Sequence, residues 1–451
     1  MLSGCTEFLD VKPRGYDIAS KLEHYEGLLY GTDMFLLDIT FPYMGMEVYT
    51  DADGYANAYS TVGSHACNAY KWERDIYRED QQAGEWKSYT SLLYNCNVVI
   101  DEVMDAEDGT EEKRRAVLSE ARMLRAYCTF MMSQFFGDVP IIRRASTLDN
   151  DFTLSSREEV KQFVISEMQE AVPYLQDVPE HYLRIFRTSG YGLLGKVLFM
   201  YGEYAQAEAP LLECLRQVGA QPAFGLVDYR PLMDPNGDID YPVRADINPE
   251  RLYYVAAMPR LWDAVNASMY NMLMFGVRND VMEYFFPDRR DCRLAFLSSV
   301  STGKSLYKSY KAKEIYAANM ASIVSNTGLD LAEVYTMAAE CQARMGNTEG
   351  ARQLLLTLRT TRMDEGHEQL PDDLTTQDDL IRFAFAERIR EEFGFGLTWF
   401  EMKRVWDDPL FQDLKPMYVH TMGSETYTLT PDRLYMAYPP SVLTWHPEYV
   451  K

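Results

Sequence analysis

Positive charge is scarce in this chain: 44 Lys and Arg stand against 68 Asp and Glu, a formal net charge of −24. Phosphate backbones would be repelled and no basic stripe offsets this, so nucleic acid is excluded as a partner. Long apolar runs are missing too. No segment approaches the ~20 consecutive apolar residues of a membrane-spanning helix. The six histidines (His24, His65, His181, His367, His420, His446) form no metal-binding spacing. The seven cysteines contain no C-x-x-C pair. Ser301-Thr-Gly-Lys-Ser305 ends like a phosphate loop, but Ser298 stands where the upstream glycine is required. Asp234, Asn236, Asp238 and Asp240 alternate like a calcium loop, yet Ile239 and Ala245 occupy its glycine and final glutamate positions. No cofactor, metal site or catalytic motif is therefore expected.

What is abundant is apolar and aromatic. Hydrophobic residues make up 47% of the 451 and aromatics 13%, with 32 Tyr and 6 Trp. This is enough for a large folded core. Tyr and Trp join a broad apolar face to a polar tip, which suits cores and binding surfaces alike. The most informative stretch is Ser119–Ile142, S-E-A-R-M-L-R-A-Y-C-T-F-M-M-S-Q-F-F-G-D-V-P-I-I. Leu124, Tyr127, Cys128, Met131 and Phe135 recur at helical spacing, with Glu120, Arg122, Arg125 and Gln134 largely off that stripe. Gly137 and Pro140 predict a sharp stop. Ser156-Arg-Glu-Glu159 reads as a capping box opening the next helix.

Two helix pairs carry a tetratricopeptide-like pattern. In each, small residues lie twelve apart, Gly195 with Ala207 and Ala339 with Ala351, so that antiparallel helices approach closely. Gly202 and Gly346 mark the turns. Cys128, Cys214 and Cys341 read as small core residues, and Trp86, Trp399 and Trp406 as core tryptophans. Residues 219–325 are rich in Pro, Asp, Asn and Tyr and read as a long irregular insertion. Irregular segments on a rigid scaffold are where binding sites concentrate.

The Ser119–Ile142 wording resembles the A-E-A-R-F-L-R-A-Y…F-G-D-V-P block of the SusD/RagB family. Trp86 to Ile100 resembles the family's W-x-x-x-Y-x-x-I-x-x-x-N-x-x-I helix. Further blocks follow in order: Phe285–Arg293, Leu331–Glu340 and Glu387–Arg404. Asp330, where the family usually has Arg, and Phe395–Thr398, where it has E-G-x-R, depart from the pattern. Leu2-Ser-Gly-Cys5 looks like the end of a bacterial lipoprotein signal, and Cys5 to Pro13 resembles the family's mature start, C-x-x-F-L-D-x-x-P. Acylation at Cys5 would anchor the chain, since each buried methylene contributes ~0.8 kcal/mol.

The resemblance implies a mainly α fold with little β, tetratricopeptide-like helix pairs supporting a loop-rich lobe. Residues 1–10 would be anchor and tether, and 11–451 a single domain. It further implies a non-catalytic, surface-exposed outer-membrane lipoprotein that binds glycan and passes it to a SusC-like TonB-dependent transporter. Oligopeptide cargo, as in RagB-like relatives, and a tetratricopeptide scaffold that binds only proteins are the alternatives. Sugars present C–H faces to flat rings and hydroxyls to polar side chains. The candidate ligand-binding residues are accordingly the loop aromatics Tyr55, Tyr59, Tyr70, Trp72, Trp262 and Tyr270, with Asn68, Arg74, Asp263 and Asn266 as polar partners. Glu387, Arg388, Arg390 and Glu391 sit at helical offsets and read as structural charge pairs.

Overall fold

The computed structural model describes residues 19–29, 37–38, 40–50, 56, 59, 64–78, 83–146, 148, 150–177, 183–233, 248–258, 276–296, 300–301, 304–305, 325–393 and 396–450. Among these, eight helices have fourteen residues or more: α1 (Gly84–Glu102), α2 (Glu111–Phe136), α3 (Arg157–Ala171), α4 (Arg187–Met200), α5 (Tyr204–Val218), α6 (Leu331–Arg344), α7 (Thr348–Arg362) and α8 (Gln377–Glu392). They pack as successive antiparallel pairs, α1 on α2, α4 on α5 and α6 on α7, and α6 also lies against α5 and α8. Strands among the described residues are two to four long, the longest being the hairpin Val419–Met422 with Glu425–Thr428. The mainly α expectation is met.

Local chemistry sets the helix ends. Thr110 accepts from Lys113 N–H at the start of α2, and Gly137 at φ +80° ends it, donating to the Ser133 carbonyl at 3.0 Å. Ser156 and Glu159 form the expected capping box on α3. Asp330 caps α6: its N–H donates to Glu333 at 3.1 Å, and its carboxylate receives Asn326 and Arg251. Gly202 and Gly346, at φ +77° and +84°, make the turns within the two repeat pairs.

Helix α2 is more deeply enclosed than its periodicity predicts. Glu120 and Arg125, placed off its apolar stripe, are buried. Arg184 grips Glu120 through Nε and Nη2 at 2.6–2.9 Å, and Arg125 pairs with Glu167 at 2.5 Å. Buried charge is tolerated here because each group has a hydrogen-bonded counter-ion. On α8, Glu387 accepts from Arg359 at 2.8 Å and forms ion pairs with Arg293 and Arg390 at 2.7–2.8 Å, and Arg388 donates to Glu401 at 2.7 Å. The three guanidiniums hold the Glu387 carboxyl far below the usual carboxylate range, against the penalty of burial. These groups hold helices together, as their spacing predicts.

Ser301 and Lys304 pair as a tight hairpin, Val300–Ser301 with Lys304–Ser305. Residues 234–240, with their calcium-like alternation, lie outside the described residues. Cys128, Cys214 and Cys341 are buried, as expected of small core residues.

Candidate functional site

The turn that ends α2 positions a cleft. Beyond Gly137 the chain runs extended, and the Val139 carbonyl accepts from Ser155 N–H at 3.1 Å. Helix α1 then clamps the following loop. Asn97 Nδ2 donates to the carbonyls of Ile142 (3.2 Å) and Arg144 (3.3 Å). Asp101 accepts from Arg144 Nη1 (2.8 Å) and Ala145 N–H (3.2 Å). Asn150 closes the loop on itself, accepting from the N–H groups of Arg143 and Arg144 at 3.0 Å. The C-terminal segment 440–449 covers the other side, and Tyr449 donates its hydroxyl to the Phe152 carbonyl.

Between α1, this loop and the C-terminal segment lies a 420 Å³ cleft. This falls within the usual range for ligand sites, which are mostly apolar with a few polar groups. Its lining is rich in aromatics: Trp86, Tyr94, Phe152, Trp445 and Tyr449, with His446 stacked on Tyr449 at 4.8 Å. At its rim stand Tyr94 and Trp445, 55% and 82% exposed. Arg144, Thr90 and Ser441 add polar groups to the lining. Two of the nine large exposed hydrophobics among the described residues, Tyr94 and Trp445, line this one cleft. Apolar surface gathered in this way marks a binding site more often than chance exposure does.

The residues expected from sequence fare differently. Tyr70 and Trp72 are not an exposed platform: both are fully buried and enclose His420, at ring distances of 4.4 and 3.8 Å. Trp72 Nε1 donates to the Met44 carbonyl (2.9 Å) and the Tyr70 hydroxyl to the Thr421 carbonyl (2.9 Å), so their polar tips are satisfied internally. Asn68 is half-buried and donates to the Ile76 carbonyl at 3.0 Å. Tyr59 is exposed, with the Arg78 guanidinium over its ring at 5.6 Å. Arg74 is exposed and faces a separate cavity. Cys5, Tyr55, Trp262, Asp263, Asn266 and Tyr270 lie outside the described residues. Trp399 and Trp406 are core as expected, whereas Trp86, read as core, is half-buried and lines the cleft. Sequence reasoning passed over Tyr94 and Trp445. The signal for Tyr94 was its place three residues before Asn97 on α1, on the side where the clamped loop lands.

Antiparallel tetratricopeptide-like pairs carrying an aromatic cleft define a helical binding scaffold. Comparison with known proteins gives the same fold. The SusD-like family described as "Starch-binding associating with outer membrane" matches residues 7–199. A SusD-like protein of Formosa agariphila is 20% identical over 249 residues, 52% of this chain and 47% of that relative, so the match spans about half of the relative's length. The fold superposes on a SusD superfamily protein from Bacteroides thetaiotaomicron with TM-score 0.71 at 17% identity, covering 95% of this chain and 98% of that one. A surface glycan-binding protein A from Bacteroides uniformis gives 0.69 at 15% identity, covering 94% and 98%. Residues 7–199 thus resemble the SusD-like family, and the fold of the chain is that of SusD superfamily structures.

Proposed function

We propose that this protein captures glycan at the outer-membrane surface and hands it to a SusC-like TonB-dependent transporter, held in place by a lipid on Cys5. The observation that carries this reading is the aromatic cleft with Tyr94 and Trp445 standing exposed at its rim. Flat rings take the C–H faces of sugars, and the rim polar groups take hydroxyls. A peptide-binding relative would instead offer an elongated cavity with free backbone donors. The names of the family and of the Bacteroides uniformis neighbour support the same reading. The work is mechanical: bind, close against the barrel, release. The buried carboxylates of α8 are engaged by guanidiniums and serve the scaffold.

Affinity electrophoresis against starch, xylan, laminarin and cellulose derivatives tests it. At least one polysaccharide should retard the protein, and Trp445→Ala should weaken that retardation roughly tenfold, the scale of one aromatic contact. Retardation lost in Trp262→Ala and kept in Trp445→Ala would move the site to residues 259–275.

A further inference from the structure

The turn at the end of α2 has a cavity on each side. Pro140 and Ile142 line the aromatic cleft, whereas Phe136, Gly137 and Asp138 line a second cavity of 610 Å³. An aromatic wall separates them, in which Tyr438 packs on Phe136 at 6.1 Å and on Tyr449 at 5.2 Å. Tyr449 lines both cavities.

The second cavity is more polar than the first. Arg74 and Arg157 supply guanidiniums, and Asp138 and Asp432 supply carboxylates. Arg157 donates to the Tyr435 hydroxyl at 2.7 Å and lies over that ring at 4.9 Å. Its backbone N–H donates to Asp138 Oδ1 at 3.1 Å. The walls are fixed by main-chain bonds: Ala437 N–H to the Arg74 carbonyl (3.0 Å), Met436 N–H to the Phe135 carbonyl (2.8 Å), and the Tyr438 hydroxyl to the Asp138 carbonyl (2.6 Å). Gly137 lines the cavity beside the Tyr435 ring.

We propose that this polar cavity is a second sugar subsite, and that the cargo is a chain long enough to fill both cavities across Tyr449. Sugar hydroxyls both donate and accept, matching a lining of guanidiniums and carboxylates, while ring faces match the aromatic cleft. A single ligand class, an oligosaccharide of several residues, presents both chemistries in sequence. The inference rests on the glycan-capture reading above and adds chain-length selection to it.

Isothermal titration calorimetry of the full chain with the disaccharide, tetrasaccharide and hexasaccharide of the malto-, cello-, xylo- and laminari- series tests it. For the series that binds, the hexasaccharide should exceed the disaccharide by roughly tenfold or more, the gain expected from engaging two linked sites. Arg157→Ala, at an exposed position, should collapse that ratio, and so should Asp432→Asn from the other rim. Trp445→Ala should weaken every length. Equal affinity at all lengths, or a length gain that both cavity variants retain, overturns the second subsite and leaves the aromatic cleft standing. Binding by no series removes the glycan reading and this inference with it.

Discussion

His420 is fully enclosed, with Nδ1 2.6 Å from the Tyr70 carbonyl and Nε2 2.8 Å from the Gly45 carbonyl. The two carbonyls favour the imidazolium, but burial outweighs them and brings the group down to about 4. The sign follows directly. The unfolded chain takes up a proton near pH 6.5 and the folded chain does not, so stability present above pH 6.5 is lost as pH falls toward 4. Relative to His420→Gln, the parent protein should lose stability across that window with a slope of up to about 1.4 kcal/mol per pH unit. Urea unfolding at several pH values measures it, and parallel curves for the two proteins would show that His420 does not titrate there. This contact also explains what the sequence hid at residue scale. Tyr70 and Trp72 sit in a loop-rich stretch and read as surface aromatics, yet they close around a histidine 350 and 348 positions later. No local pattern encodes such a partner. Glu387 and Arg388, by contrast, were legible because helical spacing alone brings such groups within reach.

At the scale of elements, the α4–α5 pair depends on a missing side chain. A Cβ on Gly195 would stand 2.5 Å from Leu211 Cγ and 3.3 Å from its backbone nitrogen. Gly195→Ala gains helix propensity of up to about 1 kcal/mol, but overpacking typically costs about 1–3 kcal/mol, and the backbone atom cannot yield. A net loss of about 1–2 kcal/mol is expected in the urea midpoint; an unchanged or higher midpoint would mean that the pair has room to spare. The twelve-residue spacing of small residues, the two Gly turns and the Ser156 cap were all readable, because each expresses a local geometric requirement. The enclosure of α2 was less so. Glu120 and Arg125 are polar in sequence, and only the arrival of Arg184 and Glu167 from other elements lets them be buried.

The whole molecule joins a helical scaffold to a cleft assembled from three distant segments: α1, the loop after α2, and the chain's last dozen described residues. The fold was legible because repeat spacing and ordered sequence blocks run along most of the chain. The cleft was not, because Tyr94 and Trp445 become neighbours only when the C-terminal segment folds back beside the turn at Gly137. The central claim is that these exposed aromatics meet the glycan. Hydroxyl-radical footprinting, with the retarding polysaccharide present and absent, tests this on the unmodified protein. The account predicts that oxidation of Trp445 and Tyr94 falls on binding while exposed Tyr174 and Met345 stay unchanged. Protection confined to Trp262 and Tyr270, with Trp445 and Tyr94 as reactive as before, would contradict it.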